Sequence, residues 1–306
     1  MSVHEPPRFA QQLGRAPWLV TMEVNPPKGT DLSEILGAVE RVKGLVHAVN
    51  VTDGSGAIMR ASSLAVAKAV LDAGIDPILQ MTCRDRNRLA LQADLLGAAI
   101  LGIRNVLLLT GDDPKAGDHP EAKPVFDLTS AQLMQAARGL NDGKDMAGKP
   151  LSGAPQFCIG AAADPGAKDL EVELQKFKAK LDGGATFFQT QAVFDPPKLA
   201  AFMGKVKPFG KPVLAGILLV KSAKMARYMN EHVWGIHVPE ELIARFEQTK
   251  DAKAECVAVT AELIRAVRPS ADGIHLYALG WEALIPDILK AAGVSAAARP
   301  AGAARS

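Results

Sequence analysis

The chain has 306 residues, 48% of them hydrophobic and 22% charged, enough apolar material for a large buried core, which excludes disorder as the main state. Lysine and arginine number 35 against 33 aspartates and glutamates, and the resulting +2 is too even for a nucleic-acid or anionic-membrane binder. Small-molecule chemistry is the remaining expectation.

An N-terminal extension is assigned to residues 1–16. Short apolar, branched segments then alternate with longer amphipathic ones, the pattern of doubly buried strands and the helices that cover them. The first strand, 18–23, runs into Glu23-Val24-Asn25-Pro26-Pro27. Asp31 and Glu34 have capping-box spacing ahead of Ile35, Leu36, Val39 and Val42. The second strand, 46–52, exits at Thr52-Asp53-Gly54. There Gly54-Ser55-Gly56 opens a G-x-G-x-x-G pattern but places Met59 at its third glycine, which argues against a dinucleotide-binding Rossmann unit. Strand 77–82 exits through Gln80-Met81-Thr82-Cys83, and strand 105–110 through Thr110-Gly111-Asp112-Asp113-Pro114.

The connection 112–129 carries Asp113, Lys115, Asp118, His119, Glu121 and Lys123. Its length favours a lid or ligand-binding loop over a merely solvated one. The glycine-rich stretch 141–154 precedes a strand and so belongs to the opposite, structural end. Strand 156–161 leads to a helix over 169–182, with Leu170, Leu174, Phe177 and Leu181 at helical spacing and Gly183-Gly184 as its stop. Phe177, Phe187 and Phe188 read as core packing rather than an aromatic cofactor box. Strands 186–191, 213–220 and 273–278 end the series, with Thr190-Gln191, Lys221-Ser222 and His275-Leu276-Tyr277 at their C-terminal ends. Residues 296–306 read as a flexible tail.

Eight strand-then-helix units predict an α/β fold, a single-domain (β/α)8 TIM barrel over residues 17–295, with its active site where the strands exit. Cys83, Cys158 and Cys256 lie far apart, without zinc or redox spacing, which fits a reducing cytoplasm. His119, His232 and His237 lack a second ligand at useful spacing, so no metal is expected. The apolar stretches are about half a bilayer span, and no signal peptide opens the chain, so a cytoplasmic location without membrane contact is expected.

Three exit residues stand out. Glu23 is a carboxylate at the end of a buried strand, where desolvation favours its neutral form and so a general-acid role; a structural ion pair is the alternative. Asp112 follows Gly111, where backbone can approach a planar ligand and the carboxylate can address its polar edge; a cap or turn is the alternative. Gln191 offers one donor group and one acceptor for a heterocycle, a weak signal alone.

Together these residues resemble the methylenetetrahydrofolate reductase family. The carrying segments are Met22-Glu23-Val24-Asn25-Pro26-Pro27, Val51-Thr52-Asp53-Gly54, Met81-Thr82-Cys83-Arg84-Asp85-Arg86-Asn87, Leu109-Thr110-Gly111-Asp112-Asp113-Pro114, Gly117-Asp118-His119-Pro120, Val125-Phe126-Asp127-Leu128, Phe188-Gln189-Thr190-Gln191 and His275-Leu276-Tyr277. The resemblance implies an oxidoreductase of one-carbon metabolism and methionine biosynthesis. It reduces 5,10-methylenetetrahydrofolate to 5-methyltetrahydrofolate with hydride from NAD(P)H, relayed by a flavin, FAD ahead of FMN.

It further implies Glu23 as the general acid that protonates the pterin-side nitrogen, and Asp112 as the charge that stabilises the resulting iminium cation and tunes the flavin. Gln191, Glu23, Asp112 and Tyr277 would contact the folate. Thr52, Gln80, Thr82, Thr110, Gly111, Asp112, Ala163 and Lys180 would hold the cofactor, Lys180 at the flavin's phosphate region.

The sequence departs from flavin-containing members around that cofactor. Gln80 replaces a histidine, Thr110 an arginine and Ala179 a basic residue, and Ala161-Ala162-Ala163-Asp164-Pro165 lacks an aromatic residue and a later histidine. Altered contacts to the same flavin and a different or looser flavin are favoured over direct, flavin-independent hydride transfer. A non-catalytic pterin-binding subunit of a methyl-transfer complex is the competing class. A homo-oligomer and an electron-donating partner subunit are both compatible with the chain.

Overall fold

Strands buried on both faces read as mainly apolar runs, and eight such runs form the centre of the molecule. A computed structural model describes residues 8–294 except Trp234. After a short helix α1 (Arg8–Gln12), the chain runs β1 (Leu19–Val24), α2 (Ser33–Val42), β2 (Ala48–Val51), α3 (Ser63–Asp72), β3 (Pro77–Thr82), α4 (Arg88–Ile100), β4 (Asn105–Leu109) and α5 (Ser130–Asn141). It continues through β5 (Cys158–Ala163), α6 (Leu170–Asp182), β6 (Phe187–Ala192), α7 (Pro196–Val206) and β7 (Val213–Leu218). Three helices follow, α8 (Ala223–His232), α9 (Glu240–Gln248) and α10 (Ala252–Val267), before β8 (Gly273–Tyr277) and α11 (Ile285–Ala291). The strands are parallel in sequence order and close through β8 onto β1, the expected eight-stranded barrel. No helix among the described residues is long and apolar enough to cross a membrane.

Side-chain alternation sorts each strand into an outward set facing the helices and an inward set filling the barrel. The lowest inward layer is apolar: Leu19, Ala48, Ile78, Leu107, Cys158, Phe187 and Leu214 cluster with Phe9 of α1. Phe9 meets Phe187 edge to face at 5.2 Å, and its backbone N–H donates to Asp76 at 2.6 Å. Part of the segment expected as an extension thus closes the bottom of the barrel. Gly160 makes room for this layer, because a Cβ there would stand 2.3 Å from Phe187 Cζ. Above the apolar layer come Thr21, Asn50, Gln189 and His275, and at the rim Glu23, Thr52, Thr82, Gln191 and Tyr277.

Several local expectations need correction. The Asp31–Glu34 box does not form: Leu32 is the N-cap of α2 without a side-chain bond, and Asp31 accepts from the Ser33 N–H at 2.9 Å. Among the described residues a capping box forms at Thr129 with Gln132, on α5. β5 starts two residues later than expected, since Asn141 at the end of α5 takes both backbone groups of Phe157, which therefore precedes the strand. The cap at Asp169 and the left-handed Gly184 (φ +106°) bound α6. Phe177 stacks on Phe188 at 3.8 Å between helix and sheet, so the phenylalanines are core. The stretch expected as a flexible tail, 296–306, lies outside the described residues.

His47, below β2, gives the fold a pH dependence. Its Nδ1 accepts from the Val20 N–H at 3.0 Å, and burial holds its pKa below 6.5. The folded state therefore resists a proton that the unfolded chain accepts. His47 contributes stability in full above about pH 7, and this contribution is lost as pH falls. The urea midpoint should drop between pH 7.5 and 5.5 by less in His47→Gln than in the wild type; equal drops would remove His47 as a cause.

Candidate active site

The inward positions of β1, β6 and β8 carry polar residues two apart, and through the barrel interior they join into one column. At its base, the amides of Asn50 and Gln189 exchange two hydrogen bonds, 2.7 and 3.1 Å. Gln189 Nε2 also donates to Thr21 Oγ1 at 3.0 Å, and Thr21 Oγ1 lies 2.9 Å from His275 Nδ1. With its oxygen accepting from the amide, the threonine hydroxyl has two acceptors in reach, the Ile274 carbonyl at 3.4 Å and, closer, Nδ1, and we take it to donate to the nearer. That assigns the histidine proton to Nε2, which faces Glu23 Oε2 at 3.7 Å. Glu23 is 7% exposed and His275 1%. A carboxyl group therefore stands at the C-terminal mouth, backed from below by a relay that fixes the orientation of its neighbour.

Tyr277 stands beside this column, its ring at 82° to His275 and 4.6 Å away. Its hydroxyl donates to the Thr190 carbonyl at 2.7 Å, and burial, with the charge of Glu23, pushes its pKa far above the ordinary value. It is a neutral phenol at every working pH. The pairing of β6 with β7 shifts register between Gln189 and Ala192. Thr190 Oγ1 stabilises this irregularity, accepting from the Gly216 N–H at 2.8 Å and donating to the Gln191 carbonyl at 2.7 Å. Bulges re-aim side chains at barrel rims, and Gln191 is exposed just beyond its strand neighbours.

Across the mouth, Thr52 donates to Asn25 Oδ1 at 2.9 Å. Asp53 accepts from the Thr82 N–H at 2.8 Å and the Thr82 hydroxyl at 3.0 Å, and pairs with Arg86. Gln80 is buried on the inward face of β3. Gly111 (φ +92°) must be glycine, since a Cβ would stand 2.9 Å from Thr82 Cβ. Asp112 is exposed and accepts from the Gly56 N–H at 2.8 Å; Thr110 is also exposed. Arg84, buried beneath them, is bidentate to Asp85 at 2.8 and 2.7 Å and donates to the Gly54 carbonyl at 2.9 Å.

The connection 112–129 is knit to the loop after β2. Asp118 pairs with Lys28 and accepts from the Met59 N–H at 2.9 Å, while a Cβ on Gly117 would overlap the Ala57 carbonyl at 1.9 Å. Farther on, Arg88 grips Asp127 with two bonds of 2.9 Å, holding its carboxyl down at about 2. A cavity of about 320 Å³ opens between these loops, bordered by Arg60, Arg84 and His119.

Two expected cofactor residues lie apart from this group. Ala163 faces outward into the core beneath the helices. Lys180 lies between α6 and β5, half-buried, with its Nζ donating to the Ala162 carbonyl at 2.6 Å. The other positions expected at the cofactor (Thr52, Gln80, Thr82, Thr110, Gly111 and Asp112) are together on one side of the mouth, on and after β2, β3 and β4. Lys180, expected at its phosphate, is bonded to a backbone carbonyl instead, so the residues present fit the cofactor on the β2–β4 side of the mouth and not at the β5 phosphate position.

Sequence reasoning assigned no role to Thr21, Asn50, Gln189 or His275. The available signal was the period of two counted back from each exit: Thr21–Glu23, Gln189–Gln191 and His275–Tyr277 each place two polar residues on one strand face.

A closed parallel barrel with a buried, histidine-backed carboxyl at its C-terminal mouth has the architecture in which barrel enzymes carry their active sites. The chain belongs to the methylenetetrahydrofolate reductase family, whose profile matches residues 8–293. It is 25% identical to Methylenetetrahydrofolate reductase 1 of Schizosaccharomyces pombe over 288 residues, 89% of this chain and 45% of that protein. It is likewise 25% identical to the 5,10-methylenetetrahydrofolate reductase of Pectobacterium carotovorum subsp. carotovorum, with 85% of each chain covered. This chain thus spans about half the length of its fission-yeast relative. Among solved structures, an uncharacterized protein from Clostridium thermocellum that binds two copies of 5-methyl-5,6,7,8-tetrahydrofolic acid has the same fold, with a TM-score of 0.55 at 15% identity over 92% of this chain and 96% of that one.

Proposed function

We propose that this chain reduces 5,10-methylenetetrahydrofolate to 5-methyltetrahydrofolate with hydride from NAD(P)H, and that Glu23 is the general acid. The observation that carries the reading is the Glu23 carboxyl inside the mouth, 3.7 Å from His275 Nε2. Family membership and the folate ligand of the Clostridium barrel support the substrate class. A flavin, when bound, supplies hydride relay.

The chemistry sets what the protein must do. The methyl group ends on N5, so the bond that breaks is from the bridging carbon to N10, and the electron pair of that bond stays on N10. The proton is needed there rather than on the pterin-side nitrogen. Glu23 donates it, N5 and the carbon become an iminium cation, and hydride completes the methyl group. After the transfer Glu23 is a carboxylate, and the Nε2 proton of His275 faces it. Asp112, on the opposite rim, places negative charge where a cation develops. The neutral phenol of Tyr277, on the strand beside Glu23, and Gln191, on the β6 rim, orient the heterocycle.

The test is incubation of the purified protein with methylenetetrahydrofolate and NADH or NADPH, with chromatography of the products. Formation of 5-methyltetrahydrofolate is expected. Tight pterin binding without product under either donor would make the chain a binding subunit instead.

His275 is a positioning residue in this scheme. His275→Gln should lower kcat by roughly tenfold to a hundredfold, about 1.4–2.8 kcal/mol of barrier, through loss of the buried imidazole that faces the Glu23 carboxyl group at 3.7 Å. It should also shift the pH–rate profile and leave the affinity for 5-methyltetrahydrofolate close to wild type. A lower rate with an unmoved profile would reduce His275 to a packing role.

A further inference from the structure

The flavin use expected from the family leads to a question that the β5 rim answers. We infer that this rim holds no phosphate, so that a flavin is gripped through its ring and riboflavin, FMN and FAD bind with similar affinity. The inference rests on the proposed flavin use.

The cation expected there is already committed. Lys180 Nζ donates to the Ala162 carbonyl, within the field of two buried carboxylates, Glu173 and Asp164. Glu173 is 5% exposed, and its Oε1 accepts from the Asp164 N–H at 3.0 Å. Asp164 is 7% exposed; its Oδ1 accepts from the Gly166 N–H at 2.9 Å, while its Oδ2 is buried without a partner. Turning the ammonium toward a phosphate would give up its bond to the Ala162 carbonyl and leave Lys176 as the remaining nearby cation for these two carboxylates, an unfavourable change in a buried site. A phosphate arriving without it would meet like charge.

The start of α6 closes the other route. A helix N-terminus following a strand is the usual cradle for an anion, through its free N–H groups and dipole. Here Asp169 caps the helix, accepting from the Val172 N–H at 3.1 Å, and Glu171 and Glu173 occupy the first turn. The end that would attract phosphate carries three carboxylates. Lys176, exposed, has its Nζ 3.9 Å from Glu173 Oε2, and Lys168 is exposed beside the cap. Such solvated ammonium groups contribute little to binding. Ala163, facing the helices, offers no donor at all.

Titration of the purified protein with riboflavin, FMN and FAD, followed by flavin fluorescence, tests this directly. The three dissociation constants should agree within about threefold, and Lys180→Gln should leave their ratios unchanged. A built phosphate contact contributes roughly tenfold to a hundredfold. FMN or FAD binding tenfold or more tightly than riboflavin would overturn the inference, whether or not Lys180→Gln abolishes the gain. The wild-type ratios decide the matter even if the variant is unstable. Failure of all three flavins to bind would overturn it together with the proposed flavin use, a result distinct from unequal binding.

Discussion

Glu23→Gln should lower kcat by about two orders of magnitude or more, the typical contribution of a positioned general acid, while the dissociation constant for 5-methyltetrahydrofolate stays near wild type. The substitution keeps the size and hydrogen-bonding capacity of the side chain but removes its acidic proton. N10 would then leave as a poorer leaving group, and the iminium cation would form slowly. Steady-state rates with methylenetetrahydrofolate and equilibrium binding of the methyl product separate the two effects. A full-rate Glu23→Gln enzyme would remove the residue from the mechanism. A variant that loses binding and rate together would make Glu23 a substrate contact rather than an acid.

Phe9→Ala should destabilise the fold by about 3–5 kcal/mol, the usual effect of emptying a large aromatic site. Phe9 is fully buried beneath the apolar layer and packs against Phe187, whose own position depends on Gly160. Domains of this kind are stable by only about 5–15 kcal/mol, so the loss is a large share. A urea series on both proteins measures it. A midpoint within error of wild type would mean that α1 rests on the barrel without closing it.

The barrel was legible because its eight strands are buried on both faces and so appear as apolar runs. Their order also needs no decision in a parallel barrel, where sequence neighbours are spatial neighbours. Glu23 was legible as a charge ending such a run. The column beneath it was not, because Thr21, His275 and Gln189 are each unremarkable on their own strands. Their meaning comes from register across β1–β8 and from contact through the barrel interior, which local patterning does not carry. Helix α1 is too short to show a period, so its buried Phe9 had no signal. At β5 the two-residue shift came from Asn141, a helix-end residue binding the backbone of Phe157. The commitment of Lys180 to the Ala162 carbonyl, among Asp164 and Glu173, likewise depends on packing between helix and strand.

In the proposed reaction the one-carbon bridge is opened by a proton delivered from inside the barrel mouth. A crystal structure of the wild-type protein with 5-methyltetrahydrofolate tests it most directly. N10 of the ligand should lie about 2.6–3.2 Å from the Glu23 carboxyl group. A pterin seated elsewhere, or one separated from Glu23 by intervening side chains, would contradict the account.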